Sequence, residues 1–179
     1  KYYIDACAGA GGKSLHIASL TRDKSKIMAL DIYGSKLEEL QKRVIRSKVE
    51  SIETKCVMNL EVIKSIKANA DGLLIDAPCS GIGVLKRNPD TKWLMNPDRI
   101  NKILTTQENI LQTYSQLVKK GGELVYATCS ILPIENRRQI DNFLNSEQGK
   151  SFEFDEDKTY LSHQSGFDGF YCARLIRKM

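Results

Sequence analysis

No apolar stretch in the 179 residues is long enough to span a bilayer, since a transmembrane helix needs about 20 such residues. No C-x-x-C pair occurs either. The five cysteines, Cys7, Cys56, Cys79, Cys129 and Cys172, are odd in number and widely spaced, which excludes a disulfide framework and gives no zinc-ligand spacing. A reducing, cytoplasmic setting without a bound metal or a membrane is therefore expected. Signal peptide, repeat, low-complexity tract and linker are all missing, so a single domain over residues 1–179 is expected. The chain also lacks an initiating methionine. Because "KYYIDACAGAGGK" starts almost inside a strand, it reads as a fragment, with recognition of any ligand expected to fall partly to a missing N-terminal part.

What is present is an ordinary globular composition, 41% hydrophobic, with a modest net charge of +5. That charge suits a polyanionic partner but many domains are as basic. Apolar runs alternate with amphipathic segments, the pattern of a sheet fed by crossover helices. Strands are predicted at Tyr2 to Ile4, Ile27 to Leu30, Glu53 to Val57, Gly72 to Ile75 and Glu123 to Ala127, all five parallel. Leu37, Leu40, Val44 and Ile45 recur at helical spacing, as do Ile110, Leu111, Tyr114, Leu117 and Val118 in a helix predicted to end at Gly121-Gly122. These are predicted core faces. Lys36, Lys42, Arg43, Arg46 and Lys48 lie opposite the first, as a solvated face. A further helix is predicted over Ile134 to Leu144, and "SFEFDED" and "GFYCARLIRK" are β-type segments placed to close the sheet as an antiparallel pair.

Between the first strand and the first helix stands "DACAGAGGKS", where Gly9, Gly11 and Gly12 let backbone approach a ligand at a helix N-terminus. The spacing is neither G-x-G-x-x-G nor Walker A, because Ala8 occupies the position where a P-loop needs its first glycine. Asp31 follows the second strand, where a carboxylate accepts both hydroxyls of a ribose, and the two features together suggest an adenosine-containing cofactor. Asn59 follows the third strand and Asp76 the fourth, so polar groups gather at the carboxyl ends of successive strands. Any one of them alone would read as a helix cap.

Two cysteines stand at the same edge. Cys79 in "IDAPCSG" lies just beyond the fourth strand and Cys129 in "YATCSIL" just beyond the fifth. A lone cysteine there is ordinarily a small buried hydrophobe, but two beside Asp76 and a nucleotide loop point to chemistry. A thiolate that adds to C6 of a pyrimidine makes C5 enamine-like and able to attack a methyl donor. The helix after Pro133 is expected to favour the Cys129 thiolate through its N-terminus. Asp76 is a candidate to hold or donate the proton at ring position 3, and the second cysteine to remove the C5 proton so that the first can leave.

"DACAGAGGKS", "LIDAPCSGIGVLKRNPDTKW", "YATCSILPIEN" and "DGFYCARLIRK" resemble the successive motifs of the Sun/Fmu family of RNA (cytosine-5) methyltransferases, over essentially the whole chain. The resemblance implies a Rossmann-like methyltransferase fold, a mostly parallel seven-stranded sheet with an antiparallel C-terminal strand and helices on both faces. It implies S-adenosylmethionine held by Cys7, Ala8, Gly9, Ala10, Gly11, Gly12, Lys13, Asp31, Asn59 and Asp76. It further implies Cys129 as nucleophile, Cys79 as the residue aiding release, Lys13 near the target base, and RNA, most of all ribosomal RNA, as partner of a monomeric enzyme. DNA cytosine-5 methyltransferases attack from the Pro-Cys position, which would exchange the thiols' roles; the RNA family's motif order selects Cys129. Three departures stand out: Ala10 replaces the family's usual proline at a cost in rigidity, Asn59 replaces an aspartate, and the family's N-terminal RNA-binding regions are absent.

Arg87, Lys92 and Trp93 are candidates for phosphate or base contact, although Trp93 reads more readily as a core or loop anchor. Two rival functions remain. A catalytically inactive RNA-binding assembly factor on this fold is disfavoured by the intact cysteine pair. A nicotinamide dehydrogenase is disfavoured by the glycine spacing and by His16 and His163, which sit on the first helix and in a late loop.

Overall fold

The computed structural model describes residues 1–179, the side chain of Ser165 excepted. The elements run β1 (Tyr2–Asp5), α1 (Gly12–Leu20), β2 (Lys26–Asp31), α2 (Gly34–Ser47), β3 (Ile52–Cys56), α3 (Leu60–Lys64), β4 (Ala70–Asp76), α4 (Thr91–Leu94), α5 (Pro97–Tyr114), β5 (Val118–Thr128), α6 (Arg137–Asn145), β6 (Phe152–Tyr160), α7 (Ser162–Ser165) and β7 (Phe170–Arg177). The seven strands form one sheet in the order β3-β2-β1-β4-β5-β7-β6. β1 to β5 are mutually parallel, and β7 alone runs against its neighbours β5 and β6. This is the expected Rossmann-like arrangement.

Chain order explains how the helices distribute. From β1 through α1 and α2 the strands step outward to β3; from β3 through α3 and α5 they return across β4 to β5. Crossovers between parallel strands are right-handed, so the outgoing and returning helices fall on opposite faces. The core divides accordingly. Ala29, Leu37 and Leu40 pack on one side, whereas Leu30, Leu73, Ile75, Leu111, Tyr126, Ile140 and Phe143 pack on the other. Each Leu or Ile buried in full contributes about 1.5–3 kcal/mol, which is what holds an element as short as α3 in place through Ile63. The order reverses between β1 and β4, and the carboxyl ends of these strands open a crevice at that switch point.

Three predicted boundaries are corrected. The periodicity through Leu117 and Val118 continues past the end of α5 at Tyr114: a 3₁₀ turn covers Ser115–Leu117, and Val118 pairs with Ala70 as the first residue of β5. Residues 119–122 bulge out before Glu123 pairs with Gly72, so Gly121-Gly122 interrupts a strand instead of ending a helix. In the segment after Pro133, Ile134 to Asn136 form a turn and the helix starts at Arg137, because Glu135 and Asn136 turn inward to a buried polar network. On α2, Leu37 and Leu40 are buried as expected, but Ile45 is 77% exposed and lies off the core face.

Candidate active site

The crevice holds a cavity of about 660 Å³. The glycine loop forms its floor because hydrogen bonds from both neighbouring strands hold it: Ala6 N–H donates to the Leu74 carbonyl and Ala8 N–H to the Leu30 carbonyl, each at 2.9 Å. Gly11 takes a left-handed φ of 83°, and a Cβ there would lie 1.9 Å from Leu40 Cδ1. Only glycine lets the loop turn into α1 at this point.

Asp31, 8% exposed at the end of β2, accepts the Gly9 N–H at 2.8 Å on Oδ2 and the Tyr33 N–H at 2.9 Å on Oδ1. A carboxylate has about four lone-pair sites, so both oxygens retain acceptor capacity toward the cavity. Asp5 is fully buried at the end of β1 and also lines the cavity. Ser14 Oγ donates to its Oδ2 at 2.6 Å, while Oδ1 makes no hydrogen bond among the described residues. Burial, only partly offset by the Ser14 bond, lifts its carboxyl from 3.8 to about 6. Burial also pushes the Cys7 thiol up to about 12, aided by the charges of Asp5, Asp31 and Asp76, so Cys7 lines the cavity as a neutral thiol.

At the other end, Lys13 Nζ pairs with Asp76 Oδ2. β4 and β5 are neighbours in register, Asp76 opposite Ala127, so the loops beyond them meet. The Cys79 and Cys129 sulfurs stand 3.0 Å apart. The Cys129 thiol is lowered from 9.0 to about 7, chiefly by its hydrogen bond with Cys79, in which either sulfur can be the donor. The Cys79 thiol is raised by that same bond and by burial. The helix after Pro133, expected to favour the Cys129 thiolate, is not the main cause, since α6 begins only at Arg137.

All predicted catalytic and cofactor residues line the cavity except Gly11 and Asn59, and the candidate RNA contacts Arg87, Lys92 and Trp93 lie outside it. Gly11 is occupied by its contact with Leu40, and Asn59 Oδ1 accepts the Val62 N–H at 3.2 Å, capping α3. Asp5 escaped assignment although it ends a strand as Asp31 and Asp76 do, and that shared position was the available signal. Tyr33, Thr106, Ile110 and Tyr114 also line the cavity and carried no motif. Trp93 is no core anchor: it is 78% exposed, with Lys92 Nζ 5.0 Å from its ring centroid. Its segment joins the thiol end through Gly83 N–H, which donates to the Cys129 carbonyl at 3.0 Å, and through the Arg87–Asp168 ion pair at 2.8 Å.

A glycine loop under a helix N-terminus, an acid at the end of the second strand and two adjoining thiols beyond the fourth and fifth are the arrangement of a nucleotide-binding α/β domain with a thiol pair at its crevice. Sequence comparison narrows the class: residues 1–176 match the family model for the 16S rRNA methyltransferase RsmB/F, and the chain belongs to this family of S-adenosylmethionine-dependent methyltransferases. Among its relatives is the probable ribosomal RNA small subunit methyltransferase B of Synechocystis sp., 36% identical over 96% of this chain and 42% of its own length. The ribosomal RNA small subunit methyltransferase B of Shewanella oneidensis is 37% identical over 97% of this chain and 42% of its own. The chain thus spans about two fifths of the curated relatives it matches. The crystal structure of PH0851 superposes with a TM-score of 0.90 at 30% identity, covering 98% of this chain and 42% of that one. NSun6 from Pyrococcus horikoshii, solved with the S-adenosylmethionine analogue SFG, shares the fold with a TM-score of 0.88 at 23% identity, covering 99% and 48%.

Proposed function

We propose that this chain is the catalytic domain of an enzyme that methylates carbon 5 of a cytosine in ribosomal RNA through a covalent cysteine adduct. The observation that carries the reading is the pair of sulfurs 3.0 Å apart at one end of the nucleotide-type cavity, one of them poised to ionise near neutral pH. The residues present fit the cofactor: Asp31 would hold a ribose diol, the glycine loop would admit close backbone approach, and the unpartnered Asp5 Oδ1 would accept the ammonium of an amino-acid tail. When bound, S-adenosylmethionine supplies an electrophilic methyl group.

The protein's own residues do the rest. A target cytosine must leave its stack to reach the thiols. The Cys129 thiolate adds to C6, Asp76 holds the proton at N3, and Lys13 balances the Asp76 charge while that proton is on the ring. The enamine carbon C5 then takes the methyl group. Cys129, now bonded to carbon, no longer accepts the Cys79 proton, which passes to solvent. Cys79 next removes the proton from C5, the Cys129–C6 bond breaks, the N3 proton returns to Asp76, and the resting thiol–thiolate pair is restored with one proton released overall.

Nucleoside mass spectrometry of small-subunit ribosomal RNA treated with the full-length protein and methyl-labelled S-adenosylmethionine tests the reading. The label is expected in 5-methylcytidine and absent with Cys129→Ala. Label at a ribose oxygen, an exocyclic nitrogen or another base would overturn it, as would full activity of Cys129→Ala.

A further inference from the structure

We propose that Glu135 is a positioning residue for the two thiols, tying together the serines that follow Cys79 and Cys129 and thereby setting the 3.0 Å separation of the sulfurs. The role rests on the thiol-pair reading of the site. Sheet pairing alone does not set that distance. The parallel ladder ends at Asp76 and Ala127, and both cysteines lie beyond it in loops. Past the ladder, the Ala77 N–H donates to the Ala127 carbonyl at 2.9 Å, but no bond between the two main chains joins Cys79 to Cys129 among the described residues.

A buried carboxylate supplies the missing tie. Glu135 Oε2 accepts the Ser80 N–H at 2.7 Å and Gln107 Nε2 at 3.1 Å. Oε1 accepts the Ser80 hydroxyl at 2.5 Å and the Ser130 hydroxyl at 2.6 Å. Glu135, Ser130 and Gln107 are fully buried and Ser80 is 4% exposed. Gln107 also donates to the Pro78 carbonyl at 3.0 Å, gripping the Cys79 loop from the other side of the cysteine. The backbone of Glu135 is itself anchored to β5, because the Tyr126 hydroxyl donates to the Glu135 main-chain carbonyl at 2.8 Å. All four contacts are donors converging on acceptors, a pattern that serine pairs alone cannot make and that a carboxylate satisfies in full. Glu135 touches neither sulfur through any of these bonds. It acts through Ser80 and Ser130, each adjacent in sequence to a thiol.

The test is site-resolved alkylation of the full chain by iodoacetamide across pH 5 to 10, read by mass spectrometry at each cysteine. The groups facing Cys129 are Cys79, Asp76 and Glu135. Glu135→Gln keeps the size of the side chain but turns an amide NH₂ toward donors, which loosens the two loops. At pH 7 the Cys129 alkylation rate is expected to fall at least tenfold and its pH midpoint to move up, because loss of the Cys79 bond outweighs the smaller downward effect of removing the Glu135 charge. Cys172 reactivity and S-adenosylhomocysteine affinity are expected to stay within twofold, and kcat to fall with the cofactor KM unchanged. Ser130→Ala, which removes one of the four bonds, is expected to shift the midpoint in the same direction by a smaller amount. A folded Glu135→Gln protein with a wild-type Cys129 profile would overturn the proposal; if that variant does not fold, a folded Ser130→Ala protein with a wild-type profile does so. Should the profile shift as expected while wild-type protein transfers no methyl group, the positioning role stands and the functional reading fails.

Discussion

At the scale of single residues, the site works by pushing like groups apart. Cys7, Cys79 and Cys129 are the same side chain within one crevice, yet only Cys129 is shifted on balance toward its thiolate, while burial and neighbouring groups hold the other two up. Asp5 carries the same logic into the cofactor end. Its carboxyl titrates near 6 instead of 3.8, so the folded state binds this proton more tightly than the unfolded chain. Stability contributed by protonated Asp5 is therefore full below about pH 4 and is lost as pH rises toward 6. Ligand binding has the opposite sign, because an ammonium favours the ionised form. Calorimetric affinity for S-adenosylhomocysteine is expected to rise with pH from 5 to 7, by at most about tenfold per unit for one proton. Asp5→Asn should abolish that rise below pH 6. An unchanged slope in the variant would place the ammonium elsewhere.

At the scale of elements, the decisive arrangement is that β4 and β5 are neighbours whose following loops are laced to the segment Gly81–Leu94 and to the turn before β7. Gly83 sits at this crossing: a Cβ on it would lie 2.2 Å from the Gly169 carbonyl oxygen and 2.7 Å from that of Cys129. Backbone atoms cannot rotate away as a side-chain end does, so Gly83→Ala must separate the loops. A loss of about 1–3 kcal/mol in thermal unfolding is expected, as for overpacking elsewhere, with Cys129 alkylation slowed at neutral pH. A variant as stable and as reactive as wild type would show that the crossing adapts freely. The five parallel strands and most of the cavity lining were legible because each strand is an apolar run ending in a polar or small residue, a local pattern. Val118 was not, since its burial follows from pairing with Ala70 and not from helical periodicity. Glu135 was not, because its partners Ser80 and Gln107 are brought to it only by the packing of the β4 loop and α5. Asn59 looked like Asp31 by position, but a three-residue register to Val62 makes it a cap.

At the scale of the molecule, a net charge of +5, exposed Lys92 and Trp93 beside the Arg87–Asp168 pair, and a cavity open along the strand ends suit a base presented from a long polyanion. Among the described residues no helix is long and apolar enough to cross a membrane. Curated relatives are more than twice as long as this chain, so turnover is tested within the full-length protein. The most direct measurement follows the covalent intermediate, because the two thiols act on opposite sides of it. Full-length wild-type, Cys129→Ala and Cys79→Ala proteins are incubated with small-subunit ribosomal RNA, with and without S-adenosylmethionine, and resolved on a denaturing gel. Cys79→Ala is expected to attack, take the methyl group and stall, accumulating a protein–RNA species only when S-adenosylmethionine is present, while Cys129→Ala forms none. An adduct in Cys129→Ala and none in Cys79→Ala would reverse the roles of the thiols, and methylation undiminished in both variants would contradict covalent catalysis at this site.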